Sequence, residues 1–458
     1  MLDILRIHLG RWNIWSERTT NRRIFAAMLT VGVLTGVVNL MGAAKELVVA
    51  YRFGTSDALD AFLIAFLLPS FATNVLAGSF SVALVPTYIK VREQNGKAAA
   101  RQLFSNAMVL GIGLLIIVSC FLALTSYFIL PVIGSSFNSE KIALTRSLFF
   151  VLLPALVISG VAIIWAAVLN AEERFALPAV TPIITPVVSM GFLFTFAKTW
   201  GIYALAIGIV VGLVLEAGLL AVGLLQQGIL PVPRWQGLNP ALKQVISQYV
   251  PMIGGNILMS GTGLVDQAMA AMIGPGSVAT LSYGNKVVSF VMGTGSMALG
   301  TAVLPHVSRM VVMADWGGLR HTLKTYARLI ALVTVPLTLI IVYFSFPIVG
   351  LLYERGAFTT ANTQLVSRVQ AFYLLQMPFY MVGMLGVRVL SALIKNQILM
   401  IISGINLIVN ILGNYFLMKV LGIAGISLST SIVYMISMSL IFLSLSIQLK
   451  KQEILNGI

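Results

Sequence analysis

A single cysteine, Cys120, in 458 residues excludes an intramolecular disulfide. Only three histidines are present, His8, His306 and His321; they are scattered, read as interfacial residues, and give no metal-ligand spacing. The phosphate-loop pattern G-x-x-x-x-G-K-[ST] is absent, so the chain is not expected to hydrolyse ATP, and no cofactor or metal is expected. No large polar loop with clustered carboxylates is present, which argues against a membrane glycosyltransferase. The first 24 residues lack the apolar core of about 7–15 residues and the small-residue cleavage site of a signal peptide. With Trp12, Trp15 and several arginines, residues 1–24 read as a basic cytoplasmic or interfacial segment, or equally as a disordered tail.

Charge is also scarce, at 9% of residues, whereas 59% are hydrophobic and the mean hydropathy is +0.98. Crossing the hydrocarbon takes about 20 apolar residues in a helix rising about 1.5 Å per residue. Twelve such runs occur, near 25–50, 60–88, 103–133, 146–170, 177–198, 201–226, 244–271, 279–310, 326–352, 364–393, 397–418 and 422–448. The expected fold is an all-α polytopic membrane protein; the alternating short strands of an outer-membrane barrel are missing. The net charge of +15 is explained by positive-inside topology better than by nucleic-acid binding. With the N-terminus inside, most of the 29 Lys and Arg fall on the cytoplasmic side, among them Arg22, Arg23, Lys90, Arg101, Arg234, Lys243 and Lys450. Both termini are then cytoplasmic.

The chain repeats weakly at an offset of about 220. Ala83-Leu84-Val85-Pro86 ends span two and Ala302-Val303-Leu304-Pro305 ends span eight. Gly201-Ile202-Tyr203-Ala204 opens span six, and Gly422-Ile423-Ala424-Gly425 opens span twelve. Six spans per repeat keep the two halves in one orientation, with a site expected between them near the midplane. The expected division is a lobe at 25–226, a Pro-containing cytoplasmic linker at 227–243, a second lobe at 244–448 and a tail at 449–458.

The few charges inside apolar sequence are the candidates for function. Lys286 stands in a run from Leu281 to Pro305 that contains no acid, and a charge at that depth costs about 2.5–3.5 kcal/mol on insertion scales. Span one ends in Lys45-Glu46 followed by Arg52, and Asp57 and Asp60 open span two. Adjacent residues do not share a helix face, so at least one of Lys45 and Glu46 is expected to face the bundle interior. Asp60 is placed to pair with Lys45 or Arg52, either as an ion-pair network or lining a cavity. Asp266 and Glu216 are the remaining deep acids, candidates to hold a proton, a cation or a basic partner; Lys286 is one candidate partner of Asp266. Asn406, Asn410 and Asn414 recur every four residues, a polar stripe that reads first as helix–helix glue.

Met41-Gly42-Ala43-Ala44-Lys45-Glu46, Arg52-Phe53-Gly54, Asp60-Ala61-Phe62, Gly78-Ser79-Phe80-Ser81 and Val85-Pro86 resemble the first two spans of MviN/MurJ-type lipid II flippases. So do Arg174-Phe175-Ala176-Leu177-Pro178, Ala298-Leu299-Gly300-Thr301 and the loop Tyr353-Glu354-Arg355-Gly356-Ala357-Phe358-Thr359. The resemblance implies the MOP exporter fold, MATE-like, with twelve transmembrane helices in two six-helix lobes around a cationic cavity. Its cavity arginines fall here on Lys45 and Lys286, with Asp60 as the span-two acid, while the paired span-two arginines correspond to Thr73 and Asn74. Lys45, Lys286, Asp60, Arg52, Asn74 and Asn285 are therefore the expected substrate-binding residues, with Glu46, Glu216 and Asp266 as coupling or ion-pair candidates.

The two extra helices of typical family members are not expected after span twelve. The expected partners are a polyprenyl-diphosphate-linked saccharide, membrane lipids and cell-envelope synthesis proteins, with H+, Na+ or Cl− as the coupling ion. Export of another lipid-linked oligosaccharide (exopolysaccharide or O-antigen), cation-coupled multidrug efflux and a non-transporting scaffold of an envelope synthase complex stay open as alternatives.

Overall fold

The structure, a computed structural model, describes residues 20–455; side chains at 20–29, 297–308, 312 and 453–455 lie outside the description. Most of the expected N-terminal segment, with Trp12 and Trp15, therefore lies outside the described residues, as do His8 and the side chain of His306. Helices run in chain order as α1 (Thr20–Phe53), α2 (Asp57–Thr73), α3 (Ser79–Ile133), α4 (Ser139–Ala171), α5 (Ala176–Val180), α6 (Ile184–Trp200), α7 (Tyr203–Gln226) and α8 (Pro240–Ala271). They continue as α9 (Ser277–Val312), α10 (Trp316–Tyr343), α11 (Ser345–Tyr353), α12 (Thr360–Leu374), α13 (Gln376–Ala392), α14 (Asn396–Leu421) and α15 (Ile423–Leu455). Each of the twelve apolar runs corresponds to helix.

The correspondence is not one to one, and glycine and proline explain the differences. Runs two and three share α3, which breaks at Gly96 (φ 84°, ψ 172°), a conformation that an L side chain rarely adopts. Between α2 and α3 the chain makes a π-helical turn, Asn74–Gly78. Pro69 precedes it, and the Thr73 hydroxyl donates to the Pro69 carbonyl at 2.9 Å. Run five begins as short α5, passes through a 3-10 turn at Thr181–Ile183 and becomes α6. Pro182 and Pro186 lack the N–H groups that would continue an α-helix there. Among the described residues, nine stretches are long and apolar enough to cross a bilayer. Pro240–Ala271 is not among them: Gln244, Gln248, Asn256, Asp266 and several hydroxyls dilute its hydropathy.

The helices gather into two compact units. Unit 1 takes residues up to Val48, Leu76–Ser119 and Pro154–Tyr249. Unit 2 takes Val49–Val75, Cys120–Leu153 and Val250 onward. In unit 1 small residues let helices approach closely: ideal Cβ atoms on Gly208 and Gly212 of α7 would come within 2.9 and 2.7 Å of the Cα atoms of Ser189 and Thr185 on α6. Such a small-xxx-small spacing is how helices pack in lipid, where burial of apolar surface gives no drive. In unit 2 an apolar cluster joins α10, α13, α14 and α15 through Trp316, Leu323, Met381, Leu385, Ile402 and Leu445. Large apolar side chains such as Leu124, Phe128, Leu332 and Val420 are more than two-thirds exposed, as expected of a hydrocarbon-facing surface.

One end of unit 2 is closed by a turn with little freedom. Gly356 sits at φ 61°, its neighbour Ala357 donates its N–H to the Tyr51 carbonyl at 2.9 Å, and any Cβ at 356 would strike that same carbonyl. Gly96 has a comparable positive φ but open space around its Cβ position. Gly356→Ala should therefore lower stability by about 2–4 kcal/mol, and Gly96→Ala by only about 1 kcal/mol. Unfolding of the purified variants in mixed micelles checks the difference; equal losses would remove the steric explanation.

Candidate functional site

At that end of unit 2, the starts of three helices, α2, α4 and α9, converge on one carboxylate. Ser56 caps α2, accepting the Leu59 N–H at 3.4 Å, and so sets Asp57 and Asp60 in the helix's first turn. Asp60 has no exposed surface. Its Oδ2 accepts the Gly276 N–H at 2.7 Å and its Oδ1 the Ala279 N–H at 2.8 Å, which caps α9 from a different helix. Free amides at a helix N-terminus favour a negative partner, and the α9 cap residue Gly276 offers no side chain of its own. Lys141, 7% exposed, completes the pair at 2.9 Å from Asp60 Oδ2 and 2.5 Å from Asp57 Oδ1, with its ammonium 3.9 Å from the centre of the Phe137 ring.

Neighbouring contacts reinforce the same end. The Thr55 hydroxyl donates to Asn362 Oδ1 at 2.9 Å, and Ser136 donates to the Ala271 carbonyl. Tyr283 of α9 packs between Tyr353 and Phe358, with ring centres 5.1 and 5.5 Å away. In the loop that follows α11, Thr360 and Thr363 donate to Glu354 and hold its carboxyl below the usual range.

With Tyr283, Gly284 and Val288 buried, α9 presents the opposite stripe: Asn285, Lys286, Ser289, Phe290, Gly293 and Thr294 are all exposed. The Ser289 hydroxyl donates to Asn285 Oδ1 at 3.2 Å, so Asn285 and Lys286 stand side by side on a polar strip one turn long. Lys45 and Glu46 are each about one-fifth exposed and pair with each other at 3.0 Å. Neighbours on a helix cannot aim at one partner, but long side chains bend enough to meet. Arg52 lies 5.7 Å from the Tyr51 ring centre, and its Nε is buried without a hydrogen-bond partner. Asn74 is exposed and opens the π turn, while its neighbour Thr73 is buried.

Two pairings expected from the sequence are corrected. The cation of Asp60 is Lys141, not Lys45 or Arg52. Lys141 escaped notice because it lies outside the run counted for span four; its signal was two acids at the head of span two and a lysine in the next turn on the same side. Asp266 does not pair with Lys286. It is buried on α8, and its Oδ1 accepts from Asn410 Nδ2 at 2.9 Å and Asn414 Nδ2 at 2.7 Å, its Oδ2 from the Thr430 hydroxyl at 3.0 Å. The asparagine stripe on α14 is thus glue of a particular kind: Asn406 bridges to Ser437 at 3.0 Å, and the other two serve Asp266. Glu216, in unit 1, accepts from the Thr185 hydroxyl at 3.0 Å.

The described residues, helical with many helices of bilayer length, define a polytopic α-helical membrane protein, and known structures agree on the fold. The chain superposes on a solved structure titled "Lipid II flippase MurJ, inward closed conformation" with a TM-score of 0.80 at 22% identity, covering 91% of this chain and 87% of that one. It also matches an inward-facing MATE family transporter of the MOP superfamily with a TM-score of 0.73 at 14% identity, covering 93% and 99%. The chain belongs to the family described as "Lipid II flippase MurJ", whose sequence model matches residues 49–456. Among curated relatives, the lipid II flippase MurJ of Burkholderia cenocepacia is 28% identical over 440 residues, 92% of this chain and 84% of that protein. The probable lipid II flippase MurJ of Vibrio cholerae is 24% identical over 458 residues, 94% and 85% of the two.

Removing one partner of a buried ion pair leaves an uncompensated charge, whereas removing both costs less. Lys141→Met should accordingly destabilise the protein by about 3 kcal/mol, and Asp60→Asn with Lys141→Met by less than the two single changes added, with a coupling of about 1–3 kcal/mol. Denaturation in mixed micelles measures all four corners of the cycle; simple additivity would show that the pair does not act as a unit.

Proposed function

We propose that this protein moves a polyprenyl-diphosphate-linked saccharide of the lipid II type from the inner to the outer leaflet of the bacterial cytoplasmic membrane by alternating access. The observation that carries the reading is the family match over residues 49–456. Lys286, on the exposed polar stripe of α9, contributes positive charge to diphosphate binding, with Asn285 beside it as a hydrogen-bonding neighbour. Lysine suits this task as a compact point charge on a flexible stem. Lys45 contributes a second positive charge, its pairing with Glu46 exchanged when the anion arrives, and Arg52 and Asn74 line the path. We assign Asp60 to the clamp on α9, since both its oxygens are engaged by protein groups in this conformation.

Asp266 is the group at which a coupling proton or cation acts: a buried carboxylate held only by neutral donors gains most from an added positive charge. Glu216 is the corresponding acid in unit 1. Both termini are cytoplasmic on this reading, and the partners are the cell-envelope proteins that make and consume the carried saccharide.

Expression in cells depleted of their own lipid II flippase should restore growth. Rescue of O-antigen or exopolysaccharide export without growth would replace the substrate and leave the fold intact. Lys286→Ala should abolish rescue at matched membrane level and Lys286→Arg retain much of it. Because Asp266 has its own donors, Lys286→Ala combined with Asp266→Ala should stay inactive; full activity in that double variant would remove Lys286 from the binding site. For topology, cysteines in place of Asn95 and Ala361 in a Cys120→Ala background should label from opposite faces of intact cells. Labelling of both from outside would overturn the orientation.

A further inference from the structure

Between α7 and α8 the chain runs as a strap without regular secondary structure, and two adjacent side chains of α3 hold its backbone. Ser105 Oγ shares its proton between the carbonyls of Val232 (3.1 Å) and Arg234 (3.2 Å) and accepts the Arg234 N–H at 2.8 Å. Asn106, fully buried, donates to the Gly237 carbonyl at 3.1 Å and accepts the Gln236 N–H at 2.7 Å. Arg101 donates to the Gln227 carbonyl at 3.1 Å just before the strap. All these groups belong to unit 1.

The clamp grips main chain only, and the side chains are left outside. Ile229 is buried, but Leu230, Val232, Trp235 and Leu238 are 57, 46, 50 and 58% exposed. Four large apolar side chains in nine residues, pinned so that they cannot fold inward, is an unfavourable surface to present to water. Its position gives the occupant. The strap starts four residues after α7, a bilayer-length helix, and ends where α8 begins, so it lies at the depth where hydrocarbon gives way to water. Tryptophan concentrates at that depth, and exposed Arg234 and Lys243 bring positive charge to the same segment.

We propose that the strap Leu230–Leu238 is a lipid-docking surface: Leu230, Val232, Trp235 and Leu238 seat at the headgroup–acyl boundary, and Arg234 pairs with a phospholipid phosphate. The inference rests on the chain being inserted in a bilayer and not on which saccharide it carries, so its test requires no transport. Full-length Cys120→Ala protein carrying Trp235→Cys, labelled with an environment-sensitive fluorophore, is reconstituted into phosphatidylcholine–phosphatidylglycerol vesicles.

Nitroxide-bearing lipid should quench the label at least about twofold more strongly than it quenches the same label placed by Asn95→Cys, and Leu238→Cys should behave like Trp235→Cys. Arg234→Gln should weaken the lipid quenching; no change would delete the phosphate contact from the proposal. Iodide access equal to that at position 95 without lipid quenching would overturn the docking surface. So would protection from both quenchers, which would mean that protein covers the strap.

Discussion

The one contact on which the closed end of unit 2 depends is a carboxylate supplying a helix cap in trans. A helix N-terminus leaves backbone amides unsatisfied, and inside a membrane protein no water is at hand to take them. The α9 cap residue is Gly276, which has no side chain to offer, and an ideal Cβ there would come within 2.5 Å of the Thr55 carbonyl oxygen. Asp60 fills the need from α2, and its buried charge is in turn offset by Lys141 of α4. One side chain therefore fixes three helices. The arrangement is tight because each of its parts is costly alone: free amides, a buried acid and a buried ammonium.

The same economy explains why the other polar groups lie where they do. Asp266 carries no cation and is held by neutral donors from two helices, whereas Lys286 stands on an exposed stripe one helix on. The buried acid and the exposed base therefore do not neutralise one another. Lys45 and Glu46, by contrast, are already paired, so an anion reaching Lys45 competes with a carboxylate on the same turn.

Much of this was legible in the residues. Apolar run length is set by bilayer thickness, so the membrane-spanning runs are legible in the residues, and Lys286, Asp60 and Asp266 stand out as charges against an apolar background. The asparagine stripe at 406, 410 and 414 follows from helical period. What stayed hidden was which element each charge would meet. Lys141 sits 81 positions from Asp60 and looked like an ordinary turn lysine; Ser105 and Asn106 looked like polar residues at the start of a span until the strap lay across them.

By itself, the sequence determined that this is an all-α membrane protein, where its helices lie, and that its few buried charges are the residues to watch. Those properties are local: hydrophobic length, helical period and the cost of a charge in hydrocarbon act along the chain. Only the tertiary structure decided that Asp60 caps a helix over two hundred residues away, that Asp266 answers to asparagines and a threonine rather than to Lys286, and that the connection before α8 is clamped by its backbone with its apolar side chains outward. Partner choice between distant elements depends on packing geometry within a few ångströms, and hydrophobic pattern does not encode that geometry.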